Sequence, residues 1–304
     1  MVWAITPTVK TMTQRFKFVQ LDVFSSQLFN GNPLAVVIGA DALDTDAMQR
    51  MARWTNLSET TFLLAPSQPG ADYRVRIFTP SQELPFAGHP SVGSAYVAIE
   101  AGLVPGDKSA LVQECAAGLL PVQVVGHGAS RIIHVQAPPA RIGTINDTQL
   151  ADLEHALHIK LSMHHAGLVD NGPHWLVCDL GEGHFVRELQ PDMAAIAALC
   201  TEICAVGVSV FGHERGGIAA MAVRAFCPAD GIPEDPVTGS ANAAIAAYLH
   251  VRGGLAAYGQ NYRASQGREV GRDGLVDVHV DIATSAITIG GACVIGIRGE
   301  LRLN

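Results

Sequence analysis

The stretch FAGHPSVGSAYVAIEAG, residues 86–102, decides the fold. It begins with a glycine turn and continues into a helix that is apolar on nearly all of its faces. The stretch GSANAAIAAYLHVRGG, residues 239–254, has the same character. A helix that is buried on every side, in a chain otherwise rich in strands, must be surrounded by sheet. The sequence therefore predicts an α+β fold in which sheets wrap around two central buried helices.

Short segments rich in Val and Ile, separated by Gly and Pro, fill most of the remaining chain. Several of them alternate apolar and polar residues as strands do. The predicted strands are FKFVQLDVF, LAVVIG, TTFLLA, DYRVRIFT, LPVQVVG, RIIHVQA, HWLVCDL, IAAMAVRAF, LVDVHVDI and ACVIGIRGEL. Three amphipathic helices are predicted at DTDAMQRMARWTN, DTQLADLEHALH and QPDMAAIAALCTEIC, and the Asp-Thr start of the first suits an N-cap.

An internal repeat supports a duplicated architecture. Four anchors recur in the same order, at offsets that increase as small loop insertions would produce. They are Pro33 with Pro173, Asp46 with Asp192, residues 76–80 (RIFTP) with 224–228 (RAFCP), and residues 87–89 (AGH) with 238–240 (TGS), at offsets of 140, 146, 148 and 151. We predict an N-terminal extension over residues 1–16, a first domain over 17–135 completed by a strand over 288–304, and a second domain over 136–287.

Composition excludes some classes of function. The chain has 304 residues, a formal net charge of −8 and no cluster of Lys and Arg, so nucleic acid binding is not expected. Mean hydropathy is +0.24, yet no apolar run approaches the roughly 18 residues of a membrane helix. The first fifteen residues lack the apolar core of a signal peptide. We predict a cytoplasmic protein that does not bind membranes.

A duplicated fold offers a cleft between its halves, where the two buried helices begin. Helix N-termini present free N–H groups and a positive dipole end, which favour a negatively charged ligand group. Ser240 and the N–H groups beside it could hold a carboxylate there. Glycine turns that only connect strand to helix would give the same pattern, although two turns in register argue against that reading.

One acidic residue interrupts an apolar segment. Glu59 lies in LSETTFLL, residues 57–64, where a carboxylate is costly unless it is paired, faces a cleft or stays protonated. Desolvation raises the pKa of such a group towards the range in which general acid–base catalysis is efficient. The alternative is that Glu59 only borders the strand.

Two further polar residues sit at the glycine turns. His89 could shuttle a proton or donate a hydrogen bond, and Asp235 could orient a substrate amine or hydroxyl. Each also has an ordinary structural explanation, as a hydrogen-bonding histidine and as a turn residue before Pro236.

Motifs for other chemistries are missing from the sequence. It contains no GxGxxG after a strand, no GxxxxGK[ST], no GxSxG and no HExxH. No spacing of His, Cys, Asp or Glu supports a metal site.

Together these segments resemble the PhzF-like proteins of the phenazine-biosynthesis family. The resemblance covers nearly all of the chain after about residue 16, and FAGHP with EDPVTGSA at this spacing is specific. It rests, in order, on DVFSSQLFNGNPLAVV, LSETTFLL, RIFTPSQELPFAGHPSVGSAY, PEDPVTGSAN and QGREVGR.

The resemblance implies a diaminopimelate epimerase-like fold of two similar domains with the active site between them. It implies a cofactor-free isomerase of the trans-2,3-dihydro-3-hydroxyanthranilate isomerase type, expected as a homodimer. By resemblance Glu59 is the catalytic acid/base, and His89, Asp235 and Ser240 position the substrate and assist proton transfer. Residues expected to contact the small carboxylate substrate are Gly88, Pro90, Ser91, Thr238, Gly239 and Ala241.

Racemases of the same fold use two cysteines on opposite faces of the substrate. Here the corresponding positions are Ala87 and Thr238, neither of which can form a thiolate. Cys227 does not replace them, because it aligns with Thr79, upstream of the turn. A single-base isomerase is therefore predicted. The alternatives left open are a lyase that uses the same proton abstraction, and a protein that binds a small carboxylate or a protein partner without turnover.

Overall fold

The computed structural model describes residues 14–161 and 165–303, which form seventeen strands and six α-helices. The strands are β1 Gln14–Val23, β2 Asn32–Ile38, β3 Thr60–Leu64, β4 Tyr73–Phe78, β5 Glu83–Leu84, β6 Ala110–Cys115, β7 Gly118–Val125, β8 Ile132–Gln136, β9 Arg141–Gly143, β10 Ala166–Asp170, β11 His174–Glu182, β12 Gly207–His213, β13 Met221–Cys227, β14 Ile232–Asp235, β15 Asn261–Gln266, β16 Gly274–Val280 and β17 Ile287–Leu303. The helices are α1 Thr45–Thr55, α2 Gly88–Glu100, α3 Asp147–Leu157, α4 Gly183–Glu188, α5 Met193–Glu202 and α6 Gly239–Arg252. Of the predicted N-terminal extension, residues 1–13 lie outside the described residues, and β1 already begins at Gln14.

The two halves of the chain pair their strands in the same pattern. In the first half β2 is parallel to β3, β3 antiparallel to β4, and β4 parallel to β6, which leads into the antiparallel order β6–β7–β8. In the second half β11, β12, β13, β15, β16 and β17 repeat these relations one for one. The predicted α+β fold of two similar domains is therefore confirmed.

Each half encloses one helix. In α2 every residue from Gly88 to Ile99 is buried, and strands β1–β4, β8 and β17 pack around it. In α6 ten residues are buried, and strands β9–β12, β16 and β17 surround it. Since neither helix has a polar face, each is stable only inside its sheet, which is what the two decisive sequence stretches predicted.

One long strand belongs to both halves. The start of β17 pairs with β16 and β8, while its remainder, from Cys293 to Leu303, pairs with β1. The last strand of the chain therefore lies beside the first one. The domain boundaries predicted at residues 135 and 287 stay a prediction.

The helices α1, α3 and α5 begin at side-chain caps, with one difference from expectation. Asp44 caps α1 by accepting a hydrogen bond from the N–H of Ala47 at 2.7 Å. For α3 the Asp147-Thr148 start resembled that cap, but Asn146 takes the position. Its side chain accepts from the N–H of Gln149 at 2.9 Å, and the Gln149 side chain accepts from the N–H of Asn146 at 3.0 Å. This reciprocal capping box satisfies two backbone donors at once and so wins over a single cap one residue later.

Membrane insertion through a helix finds no support in the part of the chain described. Its helices are too short or too polar to cross a bilayer.

The two buried helices meet at their first residues. A Cβ atom built on Gly88 would lie 3.8 Å from the Cα of Gly239, and one built on Gly239 would lie 3.4 Å from the backbone N of His89. Both would also press on the Cδ1 of Ile289, at 2.9 and 2.7 Å. Two glycines therefore allow the helix starts to touch, with Ile289 of β17 beneath them.

We expect Gly239→Ala to lower the free energy of unfolding by about 1–3 kcal/mol, because overpacking a filled core costs that much. Replacing Ile289 with Val removes the Cδ1 atom, so the loss should be smaller in the Ile289→Val background. Chemical denaturation of the four proteins of this double-mutant cycle measures the coupling. Gly106→Ala is the control, since a Cβ there meets nothing within 4 Å. An effect at Gly239 no larger than at Gly106 would contradict the close packing of Ile289 against the helix start.

Candidate active site

The topology brings the ends of several strands to one edge of the first half. Because β2 and β3 are parallel, with Ala35 opposite Thr60, the residues that open these strands lie on the same side. Asn32 opens β2, and Glu59 immediately precedes β3. The antiparallel strand β4 ends at that edge, with Phe78 opposite Thr60, and the chain continues through β5 into the start of α2. Glu59 and His89 are thereby placed together.

Glu59 and His89 face each other without a hydrogen bond. Their atoms Oε2 and Nε2 are 3.5 Å apart, and the two side chains are 15% and 7% exposed. Both atoms are buried, and neither has a hydrogen-bond partner within the described residues. Leaving two buried polar atoms unpaired is costly in a folded protein. A ligand group that bonded to both would relieve that cost, so this pair is the strongest mark of a binding site in the molecule.

Asp235 is buried, and each of its two carboxylate oxygens accepts a hydrogen bond. The hydroxyl of Thr238 donates to its Oδ2 at 2.6 Å, and the side-chain N–H of Asn32 donates to its Oδ1 at 3.2 Å. Asn32 belongs to the first half of the chain and Asp235 to the second. The site is therefore built across the boundary between the halves, as the duplicated fold predicted.

The two carboxyl groups have different proton affinities because their surroundings differ. Burial, together with the negative charge of Asp235, raises the pKa of Glu59 to about 8. Burial raises the pKa of Asp235 to about 6, while its hydrogen bonds to Thr238 and Asn32 act in the opposite direction. Near pH 7 the favoured state of the free protein has a protonated Glu59 and an ionised Asp235.

His89 is neutral over the same pH range. Burial lowers the pKa of its imidazole to about 3. At the start of α2, next to backbone N–H groups, a positive ring would also be disfavoured. His89 is thus suited to exchanging hydrogen bonds with a ligand and poorly suited to holding an extra proton.

The remaining predicted site residues divide into two groups. Gly88, Pro90, Thr238, Gly239 and Ala241 are all buried at the two touching helix starts. Ser91 and Ser240, in contrast, have their hydroxyl groups engaged in contacts away from the Glu59–His89 pair.

Ser91 belongs to a buried polar network. Its hydroxyl accepts from Gln113, and Gln113 in turn accepts from the hydroxyl of Tyr73, both at 3.0 Å. Ser240 accepts a hydrogen bond from the indole N–H of Trp175 at 3.1 Å, and its carbonyl accepts from Asn171 at 2.9 Å. In this structure the two serines hold their helices in place.

Three buried amides at the site were not predicted from the sequence. They are Asn32, Asn242 and Gln266, each 0% exposed. Gln266 donates to the carbonyl of Asp235 at 3.0 Å and to the hydroxyl of Thr238 at 2.9 Å, and it accepts from the N–H of Thr238 at 3.0 Å. Asn32 lies in the NGNP segment and Gln266 opens QGREVGR, so both were in quoted motifs. Their roles depend on contacts across the fold that spacing does not reveal.

Cys227 lies close enough to this site for the charges of Asp235 and Glu59 to affect its pKa. Burial and the neighbouring carboxylates raise the pKa of its thiol well above the usual value. It is therefore a thiol at neutral pH and a poor base, in keeping with the single-base prediction.

Two grooves lie elsewhere on the surface of the described residues. A groove of about 390 Å³ lies beside Glu154, His155 and His158, and one of about 430 Å³ lies beside His134, Arg263 and Asp277. Both are open to solvent, and neither is lined by Glu59, His89 or Asp235. Within residues 14–161 and 165–303, no three His, Cys, Asp or Glu residues are arranged to hold a metal ion.

Comparison with known proteins gives the same family along almost the whole chain. The model of the PhzC-PhzF family, described as phenazine biosynthesis-like protein, matches residues 21–299. The trans-2,3-dihydro-3-hydroxyanthranilate isomerase of Pseudomonas aeruginosa is 36% identical over 260 residues, which are 84% of this chain and 87% of that protein. A Schizosaccharomyces pombe protein called antisense-enhancing sequence 1 is 36% identical over 291 residues, 93% of this chain and 97% of that protein.

A solved structure extends the likeness to three dimensions. The crystal structure of a phenazine biosynthesis protein of the PhzF family from Bacillus anthracis superposes with a TM-score of 0.80 at 26% identity. It covers 95% of this chain and 99% of that one. The PhzF-like resemblance predicted from five sequence segments is thereby confirmed.

The raised pKa of Glu59 should make the free energy of unfolding depend on pH. Because the folded-state pKa of about 8 lies above the ordinary 4.5, folding takes up a proton between these values, and stability falls as the pH rises through that window. Glu59→Gln removes this proton uptake. The free energy of unfolding of the variant minus that of the wild type should therefore increase from pH 5 to pH 8.5, by on the order of 4 kcal/mol.

Denaturant titrations at several pH values measure this difference. Glu202→Gln, at the exposed end of α5, is the matched control and should leave the pH dependence unchanged. A difference between Glu59→Gln and the wild type that is the same at pH 5 and pH 8.5 would show that Glu59 is not desolvated.

Proposed function

The chain belongs to the phenazine biosynthesis-like protein family, several of whose matched members are named isomerases, and on this premise we propose that it is a cofactor-independent isomerase with Glu59 as its acid–base group. It moves a proton between carbon atoms of a small carboxylate substrate. The observation that carries the proposal is the pair of unpartnered atoms on Glu59 and His89, buried where two helix starts meet.

The reaction needs one group that removes a proton from carbon and returns it. Ionised Glu59 takes the C–H proton and delivers it to another carbon on the same face of the substrate. Neutral His89 bonds to the substrate beside it and keeps the reacting atoms in line. Proton abstraction at carbon of this kind requires no redox or group-transfer cofactor.

The remaining parts of the site select the substrate. The helix starts at Gly88 and Gly239 favour a carboxylate through their backbone N–H groups. Asp235 receives only neutral donors within the described residues, so a substrate amine placed next to it would complete an ion pair. An amino acid-like substrate, such as trans-2,3-dihydro-3-hydroxyanthranilate, has both groups. The homodimer and the cytoplasmic location stay predictions.

Isotope exchange tests the role of Glu59 directly. With trans-2,3-dihydro-3-hydroxyanthranilate in deuterated solvent, the wild type should incorporate deuterium at carbon. In Glu59→Gln the rate of incorporation should fall by at least about 100-fold, as is typical when a general base is removed. Binding of the substrate should survive, because Gln has the same shape. NMR of the substrate and calorimetry measure exchange and binding.

The control variant removes the neighbouring thiol. Cys227→Ala should exchange at the wild-type rate, because the thiol is protonated and takes no part. Undiminished exchange in Glu59→Gln would disprove the proposal. A product that has lost one water molecule from the substrate would show that the enzyme is a lyase and not an isomerase. Binding without exchange in the wild type would favour a non-catalytic carboxylate-binding protein.

The pH dependence supplies a further prediction. Since kcat/KM reports the free enzyme, and Glu59 must be ionised to act as a base, kcat/KM should rise about tenfold per pH unit below pH 8 and level off above it. Steady-state rates from pH 6 to pH 9.5 measure the profile. A profile that instead falls above pH 8 would mean that Glu59 acts first as an acid.

A further inference from the structure

We propose that Asn32 is a positioning residue, which holds Asp235 as the ionised member of the carboxyl pair from across the domain boundary and so keeps the pair's single proton on Glu59. The catalytic consequence of this proposal depends on the function proposed above. The placement of the proton does not.

The orientation of the Asn32 amide is fixed by its acceptors. Its side-chain nitrogen donates to the carbonyl of Val237 at 2.8 Å and to Oδ1 of Asp235 at 3.2 Å. The carbonyl of Val237 can only accept a hydrogen bond, so the amide nitrogen and not the amide oxygen must face Val237 and Asp235. The amide oxygen then faces Ser58, whose hydroxyl donates to it at 3.3 Å. One fully buried amide thus joins the segment of Asp235 to the segment of Glu59.

The other oxygen of Asp235 is also matched with a donor. Gln266 donates to the hydroxyl oxygen of Thr238 at 2.9 Å, so the Thr238 hydrogen is free to point at Oδ2 of Asp235. Gln266 keeps this orientation without help from Asn242, because it also donates to the carbonyl of Asp235 and accepts from the N–H of Thr238, both at 3.0 Å. With a donor on each oxygen, Asp235 is stabilised as a carboxylate even though it is buried.

Glu59 has less support, because the Ser58 hydroxyl beside it also donates to Asn32, and its surroundings discourage a second negative charge. Its Oε2 is unpartnered, and the groups that face it are neutral His89, the Cys227 thiol, Ser58 and the negative Asp235.

Asp235 in turn is faced by Cys227 and Glu234, and Glu234 is paired with Arg224 at 2.8 Å. Two carboxyl groups that interact in a dry site share one proton, and the proton stays on the group with fewer donors.

This arrangement links substrate binding to activation of the base. The negative charge on Asp235 is what helps to hold the proton on Glu59. A substrate amine that pairs with Asp235 would cancel that charge and lower the pKa of Glu59. Asn32 therefore sets the resting state from which a cationic substrate group releases the base.

Infrared spectroscopy of the ligand-free protein tests the proton's location. Protonated buried carboxyl groups absorb apart from the amide bands, and subtraction of Glu59→Gln and Asp235→Asn spectra assigns each band. In the wild type the Glu59 band should persist to about pH 8 and the Asp235 band should vanish near pH 6. In Asn32→Leu the Asp235 midpoint should rise by about one pH unit or more, a tenfold change in ionisation constant, and the Glu59 midpoint should fall.

A matched control removes another fully buried amide of the same network. Asn242 donates to Gln266 and to the carbonyl of Thr238, and has no carboxylate partner. Asn242→Leu should therefore lower stability without moving either midpoint. Asn32→Ser, which is too short to reach Asp235, should act like Asn32→Leu and serves if the latter does not fold.

Unchanged midpoints in folded Asn32→Leu or Asn32→Ser would overturn the proposal, as would equal shifts in Asn242→Leu. Because the measurement needs no substrate, a failed exchange experiment with Glu59→Gln would leave it standing, and its own failure would leave the function proposed above intact.

Discussion

The contact between two helix starts is the constraint on which the rest of the structure depends. Gly88 and Gly239 allow two largely buried helices to touch at their N-terminal ends, above the side chain of Ile289. The positive ends of both helix dipoles then point towards the same site, and the residues at the two helix starts lie beside each other there. The polar site lies where the two helices begin, because strands enclose each apolar helix along the rest of its length.

Within that site, the carboxyl groups of Glu59 and Asp235 have different hydrogen-bond donors around them, and this difference separates their proton affinities. Asp235 has a donor on each oxygen, while Glu59 has an unpartnered oxygen beside a neutral histidine. Burial alone would raise both pKa values together. The hydrogen bonds from Asn32 and Thr238 separate them, and a separated pair is what a proton-transfer site needs near neutral pH.

The sequence revealed the parts of this arrangement that are encoded locally. Two helices without a polar face, the order of the repeat and a carboxylate in an apolar segment all follow from residue pattern. Strands such as β12 and β15 escaped notice because GVSVFGH opens with glycine and NYRASQ is mostly polar. The Asn32 and Gln266 roles escaped for a different reason: they bond to residues 24 to 205 positions away, and no spacing rule reaches that far. The roles of Ser91 and Ser240 depend likewise on distant partners, Gln113 and Trp175.

The duplication also explains why, in the described part of the chain, the second half has no counterpart of Glu59. The core-facing residues Leu34 and Val36 of β2 correspond to Trp175 and Val177 of β11, and the strand registers then place Gly207 where the first half has Glu59.

A side chain at Gly207 would meet the sulfur of Cys227 and the ring of Trp175, both at 2.8 Å, so the second half has no room for an acid there. That same Trp175 bonds to Ser240, the counterpart of His89. Where the first half pairs histidine with a carboxylate, the second pairs serine with an indole. The fold is symmetric, but the space for a base is not, and this asymmetry supports the single-base reaction proposed above.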